Sequence, residues 1–294
     1  MKKVAIQGYK GCFHEQAARL FYSPSVTPSD APSVTPSGAP SCHSERSEES
    51  IAIVECDTFE DLFKAKADAI VMAIENTVSG GLLHNFELLR RNALPVKGEV
   101  YIRIGQNLMA NPGQTLQDIK EVRTHYMAIN QTRPWFETNA PWIRLTESED
   151  TAKSAAQLAA SGERGVGAVA GELAAQLYGL EILAPGIETN KQNFTRFLVM
   201  DSTLEVPQDQ VDKAILCFTL PHKPGSLAQI LTILSFYDMN LTRIQSLPIP
   251  GRQWQYFFYA DIKFSNYQRY TQAIQAVRPL IEDFQILGEY KSAL

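Results

Sequence analysis

Along the first two hundred residues, short apolar runs alternate with stretches in which apolar residues recur three or four positions apart. The short runs are typical of buried strands, and the spaced residues are typical of amphipathic helices. Strands are predicted over residues 3–7, 51–56, 69–74, 96–108, 122–124, 165–170 and 193–200. Helices are predicted over residues 14–22, 58–66, 82–91, 127–136, 151–160 and 172–178. Because helices and strands alternate, we predict an α/β architecture with largely parallel sheets.

The last part of the chain carries a different pattern. Strands are predicted over residues 213–220, 241–248, 254–264 and 285–290, and helices over residues 226–237 and 267–281. This βαββαβ order is typical of a ferredoxin-like unit. A polar stretch that contains Pro207 precedes the unit and indicates a linker. We therefore predict a first domain over residues 1–200, a linker over residues 201–212 and a second domain over residues 213–294.

Residues 23–50 interrupt the first pattern. Nine serines and five prolines make up half of these 28 residues, and Leu, Ile, Phe and Tyr are absent from them. Such a segment has too little apolar surface to offset the entropy lost on ordering, so we predict a disordered surface insertion. A docking site for a partner that recognises proline motifs is the alternative.

Composition narrows the classes of function. The 27 basic and 32 acidic side chains leave a net charge of −5, without the basic patch that nucleic-acid binding requires. No apolar run approaches the roughly 18 to 20 residues that span a membrane, and the apolar run at residues 4–6 is too short for a signal peptide. Cys12, Cys42, Cys56 and Cys217 are scattered, which excludes a disulfide framework and disfavours a zinc site. We expect a cytoplasmic protein that binds neither nucleic acid nor membranes and holds no metal.

Three predicted strands end in turns that lead into helices, namely Gly8-Tyr9-Lys10-Gly11, Asn76-Thr77-Val78-Ser79-Gly80 and Thr124-His125. Ligands of open α/β sheets bind outside the carboxyl ends of the strands, where helix N-termini offer free N–H groups to anions. The glycines do not match G-x-G-x-x-G and no P-loop is present, which disfavours a nucleotide cofactor. The turns together favour an anion site, although each one alone is also typical of a structural connection.

The segment Asn193-Phe194-Thr195-Arg196-Phe197 does not alternate cleanly between apolar and polar residues. Either Thr195 or Arg196 is therefore expected to point inward. A buried Arg196 needs an anionic partner, because an unpaired buried charge is costly. That partner is either a carboxylate of the protein or a ligand.

Several motifs, in this order along the chain, resemble those of prephenate dehydratases. The motifs are Gly8-x-x-Gly11-x-Phe13-x-Glu15-Gln16-Ala17-Ala18, Ile74-Glu75-Asn76-Thr77, Thr124-His125 with Gln131, Asp150-Thr151-Ala152 and Asn193-Phe194-Thr195-Arg196-Phe197. The second domain resembles the ACT regulatory module, with Pro224-Gly225-Ser226-Leu227 in its first loop and Asn240-Leu241-Thr242 after its first helix. The resemblance implies a two-lobed, periplasmic-binding-protein-like catalytic domain followed by an ACT domain. Because no chorismate mutase segment precedes the first strand, a monofunctional enzyme is expected.

The family's reaction converts prephenate into phenylpyruvate, carbon dioxide and water, and the resemblance implies that it proceeds without metal or cofactor. By resemblance, Thr195 donates a hydrogen bond to the departing hydroxyl, Arg196 clamps a carboxylate if it faces the cleft, and Glu75 supplies the proton. A salt bridge or a helix terminus is the alternative for Glu75. The implied substrate-binding residues are Asn76, Thr77, Thr124, Gln131 and Phe197. For His125, catalytic and structural roles remain open.

The ACT resemblance implies feedback inhibition by phenylalanine. The implied effector residues are Gly225, Ser226, Leu227, Asn240 and Leu241. Ligands of this kind lie between two ACT modules, so a homodimer or homotetramer is expected. Gln245 and Leu247 replace the charged residues of the family's Glu-Ser-Arg-Pro motif, so inhibition is expected but not assured. Trp254 and Tyr256 are expected to pack within a strand rather than to contact the ligand.

Two alternatives to a prephenate dehydratase remain open at this point. An arogenate dehydratase performs the same reaction on a substrate with an amino group in place of the keto oxygen. A non-catalytic amino-acid-sensing binding protein would also suit a two-lobed fold with an ACT module.

Overall fold

The computed structural model describes residues 1–22, 51–92 and 94–293. The predicted insertion at residues 23–50 lies outside the described residues. The strands are β1 (Lys2–Gln7), β2 (Ile51–Cys56), β3 (Ala69–Asn76), β4 (Gly80–Gly81), β5 (Val96–Arg103), β6 (Asn107–Ala110), β7 (Glu121–His125), β8 (Arg144–Ser148), β9 (Val166–Ala170), β10 (Glu181–Ala184), β11 (Phe194–Asp201), β12 (Lys213–Thr219), β13 (Asn240–Pro248), β14 (Tyr256–Lys263) and β15 (Glu282–Tyr290). The helices are α1 (Phe13–Tyr22), α2 (Phe59–Leu62), α3 (Leu83–Asn92), α4 (Tyr126–Asn139), α5 (Thr151–Ser161), α6 (Glu172–Tyr178), α7 (Ser226–Phe236) and α8 (Tyr267–Val277).

The strands form two sheets, and both are mixed. The larger sheet has the order β13-β14-β12-β15-β5-β11-β3-β1-β2, with β4 beside β3, and the smaller has the order β10-β6-β9-β7-β8. Strand β1 runs parallel to β2 and β3, whereas β11 runs antiparallel to β3 and β5. The prediction of largely parallel sheets is therefore wrong. An apolar strand pattern reports burial on both faces but not strand direction, so it does not reveal the direction in which β11 re-enters the sheet.

The chain crosses between two lobes twice, from β5 to β6 and from β10 back to β11. The first lobe contains β1–β5 and β11, and the second contains β6–β10. Two strands of the second lobe, β8 and β10, were not predicted. They are the outer strands of the smaller sheet and are mostly half-exposed, so their sequences lack a buried-strand pattern.

The C-terminal unit comprises β12, α7, β13, β14, α8 and β15, which confirms the predicted βαββαβ order. Its four strands pair in the antiparallel order β13-β14-β12-β15. Strand β15 meets β5 of the first lobe through one residue pair, Gly288 with Val96. A Cβ at Gly288 would lie 2.5 Å from the Cβ of Val96, so this approach requires glycine.

One hydrophobic cluster joins the C-terminal unit to the first lobe. It packs Met72 and Leu198 of the first lobe with Ile215, Cys217 and Tyr259 of the unit. The first lobe and the C-terminal unit therefore share a core. Among the described residues, none of the helices has the length and apolar character needed to cross a membrane.

Candidate active site

A cleft of about 440 Å³ is lined by residues of both lobes. Asn76, Thr195 and Phe197 line it from the first lobe, and Gln131 and Asp150 line it from the second. These residues come from β3, β11, α4 and the turn before α5. Phe13 of the first motif lines it as well, so the cleft brings together parts of all five sequence motifs singled out above.

Three helices begin at the wall of the cleft. The cleft-lining segments are residues 12–14 at the start of α1, residues 125–128 at the start of α4 and residues 150–151 at the start of α5. Free N–H groups and helix dipoles at these ends favour a negatively charged ligand. None of the described residues that line the cleft is Lys or Arg. Recognition of an anion in this cleft therefore depends on helix ends and neutral donors.

Thr195 and Asn76 are joined side chain to side chain. The Asn76 amide donates to Thr195 Oγ1 at 2.9 Å and to Asn193 Oδ1 at 2.6 Å. Its oxygen accepts from the backbone N–H groups of Val78 and Ser79, at 2.9 and 2.8 Å, which fixes the amide. Because Thr195 Oγ1 accepts from Asn76, its own O–H is left to donate into the cleft.

Arg196 lies on the opposite face of β11, which corrects its predicted role as a carboxylate clamp. It is 2% exposed and is not among the cleft-lining residues. Its Nε donates to Glu99 at 2.8 Å, and its Nη1 donates to Asp261. Successive strand residues point to opposite faces, so the neighbour of Thr195 points away from the cleft. The protein supplies the anionic partners that a buried Arg196 requires.

Glu75 also points away from the cleft. Its carboxylate lies 3.9 Å from Arg196 Nη1 and 3.4 Å from Arg243 Nε, and it is not among the residues that line the cleft. The contacts match the salt-bridge alternative rather than the predicted proton source. The reason is again strand alternation, since Glu75 precedes the cleft-lining Asn76 on β3.

The hydroxyls of the two other predicted threonines form hydrogen bonds with backbone groups. Thr77 Oγ1 donates to Gln192 O at 3.0 Å and accepts from Phe194 N at 2.9 Å. Thr124 is fully buried and donates to Val169 O at 2.6 Å. Neither residue is among those that line the cleft, and the hydroxyl of each is bonded to the backbone.

His125 lies at the cleft wall at the end of β7, and Gln131 lies there on α4. The Nδ1 atom of His125 accepts from Met127 N at 3.3 Å, so this ring caps the helix, as the structural alternative requires. Gln131 accepts from the Gln106 side chain at 3.2 Å. Gln106 also lines the cleft and was not predicted, because its apolar-rich segment indicates only a strand.

Asp150 and its neighbour Glu149 are cleft-lining carboxyls that the sequence-based site omits. The Oδ1 atom of Asp150 caps α5 by accepting from Lys153 N at 2.8 Å. Burial raises the pKa of the Asp150 carboxyl above its ordinary value. The Asp150-Thr151-Ala152 motif was a signal for this residue, but it was not distinguishable from a simple helix cap.

His14 and Cys12 line the cleft as uncharged groups. Burial lowers the pKa of His14 to about 3, and its Nε2 accepts from Ala73 N at 3.3 Å. Burial raises the pKa of the Cys12 thiol to about 12. At neutral pH the imidazole is therefore neutral and the thiol is not a thiolate nucleophile.

The residues implied in phenylalanine binding lie at the two ends of α7. Gly225 caps its N-terminus with a φ of 82°, and Ser226 and Leu227 line a small cavity of about 230 Å³. Asn240 and Leu241 begin β13, beyond the other end of the helix. An eleven-residue helix is about 16 Å long, so one chain does not bring the two groups together.

Trp254 and Tyr256 also line this small cavity. Trp254 precedes β14, has a φ of 62° and is 61% exposed. The expectation that Trp254 packs within a strand is therefore wrong.

The fold and the cleft define a class of protein: a periplasmic-binding-protein-like pair of α/β lobes around a polar cleft, joined to a βαββαβ unit. The sequence profile of the family described as prephenate dehydratase matches residues 4–204. The chain belongs to the prephenate dehydratase family, whose activity is that of a hydro-lyase, and the predicted family and enzyme class are confirmed.

Two curated relatives match almost the whole chain. A bifunctional chorismate mutase/prephenate dehydratase of Aquifex aeolicus is 31% identical over 99% of this chain and 74% of its own length. Arogenate dehydratase 2 of Petunia hybrida is 30% identical over 99% of this chain and 72% of its own length.

Two solved structures share the fold at 25% identity. A prephenate dehydratase of Arthrobacter aurescens in complex with L-Phe has a TM-score of 0.78 over 98% of this chain and 89% of that one. GqqA, described as a novel type of quorum quenching acylases, has a TM-score of 0.81 over 99% of this chain and 98% of that one.

Proposed function

We propose that this chain converts prephenate into phenylpyruvate, carbon dioxide and water. The observation that carries the proposal is the Thr195 hydroxyl, which accepts from Asn76 and can donate into a cleft where three helices begin. Prephenate carries two carboxylates and a leaving hydroxyl. Helix N-termini suit the former and a fixed hydroxyl donor suits the latter.

The reaction needs a proton at one end of the ring and no added reductant or oxidant. The C–OH bond breaks and the hydroxyl leaves as water after it gains a proton. The bond to the ring carboxylate breaks at the same time, and its electron pair enters the ring, which becomes aromatic while carbon dioxide leaves. A threonine hydroxyl is a weak acid, so Thr195 stabilises the departing oxygen by a hydrogen bond rather than by giving up its proton.

Asp150 is our candidate for the proton donor in place of Glu75. It lines the same cleft as Thr195, and burial holds its pKa above the ordinary carboxyl value. A larger fraction of this carboxyl is therefore protonated near neutral pH than of an exposed aspartate. Its hydrogen bond from Lys153 N keeps the side chain in place at the start of α5.

Arogenate is the second candidate substrate. Glu149 lines the cleft beside Asp150, and a carboxylate there favours the amino group that arogenate carries in place of the keto oxygen. A curated relative from Petunia hybrida is named arogenate dehydratase, which supports including this substrate in the test.

We further propose that the βαββαβ unit is an ACT domain that binds phenylalanine between two copies of the chain. The separation of Ser226 from Asn240 along α7 supports this, since one effector molecule can contact both groups only across a dimer. The related Arthrobacter aurescens structure holds L-Phe, which supports the choice of effector. We keep the domain boundaries predicted from the sequence, with the linker at residues 201–212.

The test measures formation of phenylpyruvate from prephenate, and of phenylalanine from arogenate, by the purified chain. Each assay is run with and without millimolar phenylalanine, and the oligomeric state is measured in parallel. A higher kcat/KM for prephenate than for arogenate supports prephenate as the substrate, and the reverse supports arogenate. The absence of turnover on both substrates would reject both and favour the non-catalytic binding protein. Turnover unaffected by phenylalanine would reject the proposed effector.

A further inference from the structure

A buried network of charged side chains joins the first lobe to the C-terminal unit. Glu75, Glu99 and Arg196 come from the first lobe. The unit contributes one side chain from each of its four strands, namely Lys213, Arg243, Asp261 and Tyr290. Three cations face three anions, so the network is neutral as a whole.

Arg196 is the centre of this network. Its Nη1 donates to Asp261, its Nη2 donates to Tyr290 Oη at 2.9 Å, and its Nε donates to Glu99 at 2.8 Å. The Tyr290 hydroxyl donates its own hydrogen bond to Glu99 at 3.2 Å. Asp261 and Tyr290 are fully buried, so the C-terminal unit holds two of the three guanidinium nitrogens in a water-free environment.

The residues of this network alternate with the residues of the cleft. Thr195 and Arg196 are successive on β11, and Glu75 and Asn76 are successive on β3. Thr195 pairs with Asn76 across the two strands, and Arg196 pairs with Glu75. The hydrogen bond from Asn76 to Thr195 on the cleft face is therefore backed, on the other face, by side chains bonded to the C-terminal unit.

The strand pairing is irregular at this point. Between Arg196 and Phe197 the register of β11 against β3 shifts by one residue, because Ile74 of β3 has no partner and forms a β-bulge. A bulge locally disrupts the ladder and re-aims the neighbouring side chains. Against β5 the register of β11 is regular from Phe194 to Val199, and the bonds of Arg196 add an anchor on the face opposite Thr195.

We propose that the C-terminal unit positions Thr195 for catalysis through Arg196, with Asp261 as the positioning residue. Asp261 and Tyr290 hold the guanidinium, the guanidinium holds the backbone of β11, and the backbone sets the direction of the Thr195 hydroxyl. This inference rests on the proposed role of Thr195 in the dehydration.

The test compares Asp261→Asn with Asp201→Asn. Both aspartates are fully buried and ion-paired. Asp201 lies on β11, the strand of Arg196, but its partner is Lys2 and it lies at the far end of the strand. We expect Asp261→Asn to lower kcat about 10- to 100-fold with KM changed less than about twofold, because a small misplacement of a catalytic group has this effect. Asp201→Asn should leave kcat within about twofold of the parent. A folded Asp261→Asn variant with the parent kcat would overturn the inference.

A second pair of variants is milder and guards against loss of folding. Tyr290→Phe removes one hydroxyl that accepts from Arg196, whereas Tyr270→Phe changes a buried tyrosine in the unit's own core. We expect a several-fold fall in kcat for Tyr290→Phe and none for Tyr270→Phe. Equal kcat values in the two variants would contradict the proposed path.

The double variant Thr195→Val with Asp261→Asn asks whether Asp261 acts through Thr195. If it does, adding Asp261→Asn to Thr195→Val changes kcat by less than about twofold, because the positioned group is already gone. A further loss as large as in the parent would show an independent effect and overturn the inference.

A readout without turnover separates this inference from the proposed function. The methyl resonance of Thr195, assigned by its loss in Thr195→Val, should shift in Asp261→Asn and stay in place in Asp201→Asn. If the parent chain turns over neither prephenate nor arogenate, the proposed function fails while this measurement still decides the positioning. An unshifted Thr195 methyl in folded Asp261→Asn would overturn the inference.

Discussion

Thr195 and Arg196 are neighbours on β11, yet their side chains lie in opposite kinds of environment. The cleft face offers neutral donors and helix N-termini, and none of its described lining residues is Lys or Arg. The other face holds a network of buried ions between the lobe and the C-terminal unit. On one face, fixed charges of this strand connect the lobe to the C-terminal unit, and on the other, the cleft offers a negatively charged ligand helix ends and neutral donors.

The largest expected effect lies on the network face. Arg196→Met removes one of the two cationic partners of each of the buried carboxylates Glu99 and Asp261, which should lower the free energy of unfolding by about 3–5 kcal/mol. Urea denaturation at neutral pH measures it. Arg144→Met is the control, because Arg144 is 74% exposed in its pair with Glu121 and should cost less than about 1 kcal/mol.

The same variant has a pH dependence with a definite sign. In the parent, burial opposes the ionisation of Asp261, but Arg196 and Arg243 hold its pKa below the ordinary value. Without Arg196, burial dominates and the folded state binds protons more tightly than the unfolded state. The stability deficit of Arg196→Met should therefore shrink as the pH is lowered from 7 toward 5. A deficit independent of pH would show that the pKa of Asp261 does not depend on Arg196.

The next effect lies on the cleft face. Thr195→Val keeps the shape of the side chain and removes the hydroxyl, so kcat should fall about 10²- to 10³-fold with little change in KM. Thr132→Val is the matched control, since Thr132 is a fully buried helical threonine whose hydroxyl donates to Ala128 O. An unchanged kcat in Thr195→Val would remove Thr195 from the mechanism.

A smaller effect is expected for the proton donor. Asp150→Asn keeps a helix cap but removes the acid, so kcat should fall about 10²-fold. In the parent, kcat should decline as the pH rises through the raised pKa of Asp150, and this limb of the profile should vanish in the variant. Asp118→Asn, in a capping box that lies outside the cleft-lining set, should keep the parent profile.

The smallest effect is expected for the Ser/Pro-rich insertion. Residues 23–50 carry no Leu, Ile, Phe or Tyr, so replacing them with a short Gly/Ser linker should leave Tm and kcat essentially unchanged. A loss of several degrees in Tm would show that the segment packs against the protein.

Much of the architecture was predictable from residue patterns. The strand at residues 51–56 and the helix at residues 172–178 have the predicted bounds, and the βαββαβ order of the C-terminal unit is present. These elements are bounded by clear turn residues or by an αL glycine such as Gly179. Strand direction was not predictable, because a pattern of burial does not report it. The outer strands β8 and β10 were not predictable, because they are mostly half-exposed and lack a buried-strand pattern.

The candidate site was predictable in its members but not in their directions. Thr195 and Arg196 are both nearly buried, one against the cleft and one against the C-terminal unit, so burial does not say which residue faces the ligand. The bulge at Ile74 also breaks the alternation along β3, where Ala73 and Asn76 both line the cleft although they are three residues apart. Thr124 shows the same difficulty, since a hydroxyl in a motif can serve a backbone carbonyl instead of a substrate.

The contact between Gly288 and Val96 has a consequence for the integrity of the chain. Strand β5 pairs with β11 along its length on one side, and on the other side only this contact pairs it with β15. If the C-terminal unit were cut away in the linker, β5 would become an open sheet edge with buried charges and apolar side chains beside it. Such edges template pairing with other chains, so we expect removal of the unit to promote self-association of the first lobe.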